Sequence, residues 1–158
     1  MLTPIDALRA TPLAAELTVD EIATLAAIVH IRELRDGEVL VAEGAKDSKL
    51  HVVLSGRIDV VRDGEHGHHV LQTLRAGDLV GELSFMEDSP RFAALVATGA
   101  TEVLALDRAD FETLIERAPR VVYKVMRAIM HGARNVQRRL SLQMRDLENY
   151  LYRTGGKN

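Results

Sequence analysis

Gly81-Glu82-Leu83-Ser84-Phe85-Met86-Glu87-Asp88-Ser89-Pro90-Arg91-Phe92-Ala93-Ala94 is the stretch on which the fold turns. It follows Ala76-Gly77-Asp78-Leu79-Val80 and reads as a tight turn, a short apolar helix, a polar loop and an arginine leading into a strand. Glycine at 81 lets the backbone come near a ligand. Free N–H groups at the start of a one-turn helix favour an anion. Arg91 carries a planar guanidinium that grips a phosphate through two hydrogen bonds, a geometry lysine does not copy. Glu82 is an acceptor pair suited to a ribose hydroxyl. One acid and one arginine in a glycine-led turn suit a cyclic phosphate fused to a ribose.

The residues around this stretch set it in a β-rich frame. Eight of the eleven glycines (37, 44, 56, 64, 67, 77, 81 and 99) lie between about Arg32 and Leu106, many of them between short β-branched runs. Leu50–Leu54, Ile58–Arg62, Val70–Leu74, Ala93–Ala97 and Glu102–Leu106 read as strands, with Asp36-Gly37 and Asp63-Gly64 as hairpin-type turns. Short strands at regular spacing predict a small β-barrel or sandwich, a jelly roll. Helical signals flank it. From Pro4 to about Val29, Thr18 and Glu21 have capping-box spacing, and Ile22, Leu25, Ala26 and Val29 form one apolar face. After the strands, Asp107 caps a helix whose apolar side is Phe111, Leu114 and Ile115.

Pro119 marks a new helix start, and no proline interrupts the chain from there to about Tyr152. Such a helix is about 50 Å long, too long to bury itself on one small barrel. Its apolar positions are Val122, Met126, Ile129, Ala133, Val136, Leu140, Met144, Leu147 and Leu151, spaced close to a heptad seam. A homodimer through residues 122–151 follows, the alternative being a helix folded back on its own body. Gly132 inside the helix costs about 1 kcal/mol relative to alanine and implies a close backbone approach.

Composition excludes several classes. The 158 residues are 47% apolar and 27% charged, the balance of an ordinary globular protein of about one domain. No apolar run reaches the roughly 18–20 residues of a membrane-spanning helix, and the first residues lack a secretory signal, so a cytoplasmic protein without membrane contact is expected. With no cysteine there is no disulfide, thiolate metal site or cysteine nucleophile. The net charge of -3 is uneven. From Arg120 to Asn158 nine basic residues face two acids (+7), and the first 119 residues carry eleven basic against twenty-one acidic groups (-10). A basic tail fits a solvated helix face docking on a partner subunit, with nucleic acid or a membrane as the other possibilities.

The Gly81–Ala94 segment resembles the phosphate-binding cassette of the cyclic-nucleotide-binding domain family. The resemblance covers nearly the whole chain, through Leu54-Ser55-Gly56-Arg57-Ile58 and Gly77-Asp78, past the cassette, to Thr101-Glu102-Val103 and Phe111. It implies a mainly β fold with flanking helices: a β jelly roll or barrel of the cyclic-nucleotide-binding type plus a long C-terminal helix. Residues 1–119 would be the β-roll domain with N-terminal helices, 120–153 the dimerisation or lid helix, and 154–158 a flexible tail. It also implies a ligand site of Gly81, Glu82, Leu83, Arg91, Phe92, Ala93, Leu71, Val80 and Gln137. In that site Glu82 holds the ribose 2′-hydroxyl and Arg91 the cyclic phosphate, with backbone N–H groups of Leu83 and Ala93 adding hydrogen bonds. Leu71 and Val80 line the apolar wall. Val136 and Gln137, beside Asn135, fall near the base, where Gln137 either meets a purine edge or is plain surface.

One position departs from the family. Binding members usually place a small residue directly after the arginine, whereas this chain has Phe92, and Ala94 stands where Thr or Ser often occurs. Phe92 either crowds the phosphate or turns outward. The function implied is a regulatory module that binds cAMP or cGMP as a ligand rather than a cofactor. It would signal through its C-terminal helix to an effector protein that the sequence does not identify. The alternative is a ligand-free fold that serves as a dimeric interaction scaffold, with Phe92 filling the pocket. Adenine, guanine and cyclic-dinucleotide ligands are not distinguished.

Other chemistry is weakly signalled. His66-Gly67-His68 offers two imidazoles at a hairpin tip, but no carboxylate follows to complete a metal set, so no metal site is expected. Ser55, Ser84 and Ser89 have no motif pairing them with a base, so no enzyme is expected. Direct DNA control is not expected either: six residues follow the long helix, and Arg134, Arg138 and Arg139 only faintly follow a basic-zipper order.

Overall fold

In this computed structural model two long antiparallel strands, β3 (Lys49–Gly64) and β6 (Ala94–Asp107), pair along most of their length and organise everything else. The structure describes the backbone of residues 2–155 and, within that span, every side chain except those of residues 133–137, 140, 154 and 155. The sheet order is β1–β6–β3–β4, with β1 at Val29–Leu34 and β4 at Gly67–Arg75. Two short strands fill the remaining edges: β2 (Val39–Val41) pairs with β6 and β5 (Leu79–Val80) with β3. The sheet is antiparallel with flanking helices, as expected. Among the described residues β1 and β4 do not pair, so the roll is an open one.

The strand boundaries differ from the sequence reading where a glycine bends a strand instead of ending it. Leu50–Leu54 and Ile58–Arg62 belong to the single strand β3, whose register with β6 shifts around Ser55. Gly56 there has φ +80°, and a Cβ on it would lie 2.5 Å from the Ala100 carbonyl oxygen. A side chain would block that bend. Ala93–Ala97 and Glu102–Leu106 likewise merge into β6, which begins at Ala94. At the β3–β4 hairpin, Gly64 pairs with Gly67 across Glu65-His66, and the positive φ (+100°) falls on Gly67 rather than Gly64. Val29, expected on a helix face, opens β1 and is buried there.

The helices follow their local signals more closely. Helix α1 spans Pro4–Arg9, a 3-10 turn Pro12–Ala14, and α2 Val19–Ala26. Both arms of the α2 capping box form: Thr18 Oγ1 accepts from the Glu21 N–H, and Glu21 accepts from the Thr18 N–H. Helix α3 (Glu82–Met86) follows β5 directly. Asp107 caps α4 (Arg108–Glu112), α5 covers Leu114–Arg117, and α6 runs from Pro119 to Gly155. Helix α6 thus starts at Pro119, where the proline marks it, and its helical backbone runs on to Gly155.

Two apolar clusters hold these parts. The inner one, including Ile58, Leu74, Val80, Leu95, Ala97 and Val103, lies within the roll. The outer one joins α1, α2 and the opposite sheet face to Phe85, Phe111 and the first turns of α6. Phe85 of α3 meets Phe111 of α4 at 5.3 Å between ring centroids, anchoring the cassette helix. Helix α6 buries Val121, Val125, Ala128 and Ile129, and its ion pairs Lys124–Glu21 (2.6 Å), Arg127–Glu16 (3.0 Å) and Arg139–Asp78 (2.9 Å) fix it to the body. Ile129 and the half-buried Val122 and Met126 pack on this chain's own core. The first third of the expected dimer seam is therefore intramolecular, because the same 3–4 spacing that makes a seam also makes a docking face.

Candidate functional site

The site grows out of the junction between β5 and α3. Val80 pairs with His51 of β3, which holds the end of β5 against the sheet. The chain then reverses at Gly81, whose φ of +85° is a left-handed conformation that other residues resist. Gly81 caps α3 without a side-chain hydrogen bond, so the first-turn N–H groups of α3 receive no side-chain cap. A Cβ on Gly81 would overlap the Arg91 guanidinium. Glycine is required there twice over, for the turn and for the arginine lying against it.

Arg91 is buried, 6% exposed. Its backbone is locked to the β2–β3 loop in both directions: the Arg91 N–H donates to the Ala45 carbonyl (2.8 Å), and the Gly44 N–H donates to the Arg91 carbonyl (2.8 Å). Its Nη2 donates to the Lys49 carbonyl at 2.7 Å and lies 3.8 Å from the Asp47 carboxylate, while its Nε has no partner. Burial lowers the Arg91 pKa, and the charges of Asp47 and Glu82 act against that. Even so, the guanidinium stays cationic at any working pH. An orphaned buried donor on a cation, beside the half-buried Glu82, is the arrangement an anionic oxygen ligand completes.

His51, 2% exposed, is the other buried side chain among the described residues with an unpartnered polar atom, its Nδ1. Burial above all, then the charges of Arg91, Lys49 and Arg32 against that of Asp47, push its pKa down to about 4. It is neutral at pH 7.

The expected residues are distributed as follows. Gly81, Glu82 and Arg91 come together. Leu83 and Leu71 are exposed (70% and 49%), Val80 is buried in the inner cluster and Ala93 is buried beside Arg91. Phe92 points outward, 65% exposed, with the Arg62 guanidinium 3.9 Å from its ring centroid. The ring therefore does not plug the space beside Arg91. The side chain of Gln137, with those of Asn135 and Val136, lies outside the described residues. At the hairpin tip His68 pairs with Asp63, and no group of three or more His, Cys, Asp or Glu among the described residues is placed to hold a metal ion.

Sequence reasoning missed Asp47, His51 and Arg62. A lone histidine inside the apolar run Leu50–Leu54 is the signal that could have drawn attention to His51. Asp47 reaches Arg91 from the β2–β3 loop, and Arg62 meets the ring of Phe92 from β3, contacts that no local sequence signal marks.

Residues 31–118 match the family model described as the cyclic nucleotide-binding domain, which is more than half of the chain. The chain belongs to this family. A cAMP-dependent protein kinase regulatory subunit of Mycosarcoma maydis is 31% identical over 91 residues, covering 58% of this chain and 17% of that protein. A cyclic AMP receptor protein of Thermus thermophilus is 29% identical over 136 residues, covering 85% of this chain and 63% of that protein. This cyclic nucleotide-binding domain thus spans less than two thirds of either relative. Among solved structures, the N-terminal domain of a transcriptional regulator from Streptomyces coelicolor superimposes with a TM-score of 0.70 at 29% identity, over 85% of this chain and 95% of that one. Among the described residues no helix is long and apolar enough to cross a membrane.

Proposed function

We propose that this domain binds a cyclic purine nucleotide, cAMP or cGMP, as a regulatory ligand, and that it acts as a sensor rather than an enzyme. The observation that carries the reading is Arg91: a buried cation with an unpartnered Nε, set against a left-handed Gly81 and beside Glu82. Arg91 takes the cyclic phosphate, assisted by the N–H groups of Leu83 and Ala93, and Glu82 accepts from the ribose 2′-hydroxyl. Leu71, Leu83 and Val80 offer apolar surface to the base, and Gln137 its polar edge. The outward position of Phe92 favours binding over the scaffold reading.

Output runs through α6, which is fixed to the cassette's own strand by Asp78 and Leu79. Beyond Ile129 the helix presents Met144 and Leu147 to solvent, and a homodimer forms there in the cytoplasm and engages an effector protein. The test is thermal unfolding of the full chain with cAMP, cGMP and cyclic dinucleotides, with Arg91→Ala and Glu82→Gln as controls. Ligand at 100 times its dissociation constant adds about 2.7 kcal/mol, or roughly 5–10 °C at this chain length. A shift with one nucleotide that both controls lose names the signal; no shift with any of them leaves a dimeric scaffold.

A further inference from the structure

Arg91 enters the site already counter-charged. Asp47 and Glu82 both act on it, and its Nη2 is engaged by the Lys49 carbonyl. The carboxylate of Asp47, 3.8 Å from that nitrogen, offsets part of the attraction Arg91 has for a phosphate, and a second cation on the same side of the roll would restore it.

Arg62 stands there. Side chains alternate along a strand, so residues two apart share a face. Ile58 and Val60 of β3 face the inner cluster, and their partners on β6 are Ala97 and Leu95. Arg62 continues that face, and one step beyond the Val61–Ala94 pair it comes opposite Ala93, which is buried. Its guanidinium lies over the ring of Phe92, the residue that follows Arg91 in the chain. Two contacts hold it there: the 3.9 Å stack on Phe92 and an ion pair from Nε to Glu43 at 3.6 Å, longer than a hydrogen bond. Glu43 is itself fixed by accepting from the Asp63 N–H. A guanidinium stacked on a ring keeps its in-plane donors available.

We infer that Arg62 is a second phosphate-binding residue and that Phe92 is its platform, the ring serving to position the guanidinium at the mouth of the site. This rests on the nucleotide-binding reading above. The pair contributes to the phosphate, which every cyclic nucleotide shares, and not to the choice of base.

The test is calorimetric titration of the full chain with cAMP and with cGMP. Arg62→Gln raises the dissociation constant about tenfold, equivalent to about 1.4 kcal/mol, by the same factor for both nucleotides, and flattens the dependence of binding on salt. Phe92→Leu keeps the bulk but removes the stack, and weakens binding about threefold with the salt dependence retained. Unliganded melting of both variants stays near wild type, since both side chains are exposed. If wild type binds and Arg91→Ala abolishes binding while Arg62→Gln binds as wild type, Arg62 is a surface residue and the inference falls alone. A loss confined to one nucleotide also overturns it, by moving Arg62 from the phosphate to the base. If wild type binds no cyclic nucleotide, the functional reading itself fails.

Discussion

Gly132→Ala in α6 sets two opposing effects against each other. In an open helix the change is favourable by about 1 kcal/mol, through lower backbone entropy in the unfolded chain. Here the added methyl would overlap Leu79 Cδ1, and Leu79 is buried in β5, whose backbone is paired with Val52 of β3. Overpacking of this kind costs about 1–3 kcal/mol, so the net expectation is a loss of about 1 kcal/mol, or roughly 2–4 °C. Leu79→Ala alone costs about 2–5 kcal/mol as a buried truncation. In the Leu79→Ala background the obstruction is gone, and Gly132→Ala becomes stabilising by about 1 kcal/mol. The sign reversal, a coupling of about 2 kcal/mol, is read from a double-mutant cycle of urea unfolding at one fixed protein concentration. Equal stabilisation in both backgrounds would show that α6 does not rest on β5 in solution, and the docking of the helix would have to be abandoned.

Gly81→Ala strains a residue at φ +85° and drives a methyl into Arg91, so the nucleotide-induced melting shift should vanish and unliganded stability fall by about 1–3 kcal/mol; an unaltered shift contradicts the cassette geometry. His51 has an unfolded pKa near 6.5 and a folded one of about 4, so the folded chain binds fewer protons between those values. Stability present at pH 7 is therefore lost as pH falls from about 6.5 through 4, by roughly 3 kcal/mol. Urea unfolding of His51→Leu should show correspondingly less acid sensitivity than wild type, and identical pH profiles would refute the assignment. Removing residues 140–158 should give monomers by light scattering, since the part of the seam not committed to the chain's own core lies largely there; a persisting dimer places the interface elsewhere.

What the sequence discloses follows from how local the determinants are. The cassette is legible because Gly81, Glu82 and Arg91 are close in the chain, and an isolated glycine, acid and arginine stand out from the apolar pattern around them. The Thr18 and Asp107 caps are legible for the same reason, since a cap is satisfied within three residues. Glycines 56 and 99 read as breaks because a positive φ ends most strands, but β3 and β6 bend through them and continue to pair. Asp47, Lys49 and His51 lie more than 30 positions before Arg91, and only the pairing of β5 and β6 with β3 brings them to it. Ile129 shows the other limit: an apolar position at heptad spacing does not say whose surface it covers.

The stretch from Asp78 to Gly81 has no slack. Asp78 is tied to α6 by charge, Leu79 by packing against Gly132, Val80 to β3 by strand pairing and Gly81 to Arg91 by the shape of its turn. The two glycines with positive φ at the ends of this stretch, Gly77 just before it and Gly81 as its last residue, are the nearest points at which the chain can pivot. A displacement of the cassette cannot be absorbed along such a strut. On the proposed reading it would arrive at the helix through Leu79 and Asp78 together, against Gly132 and Arg139 near the middle of α6.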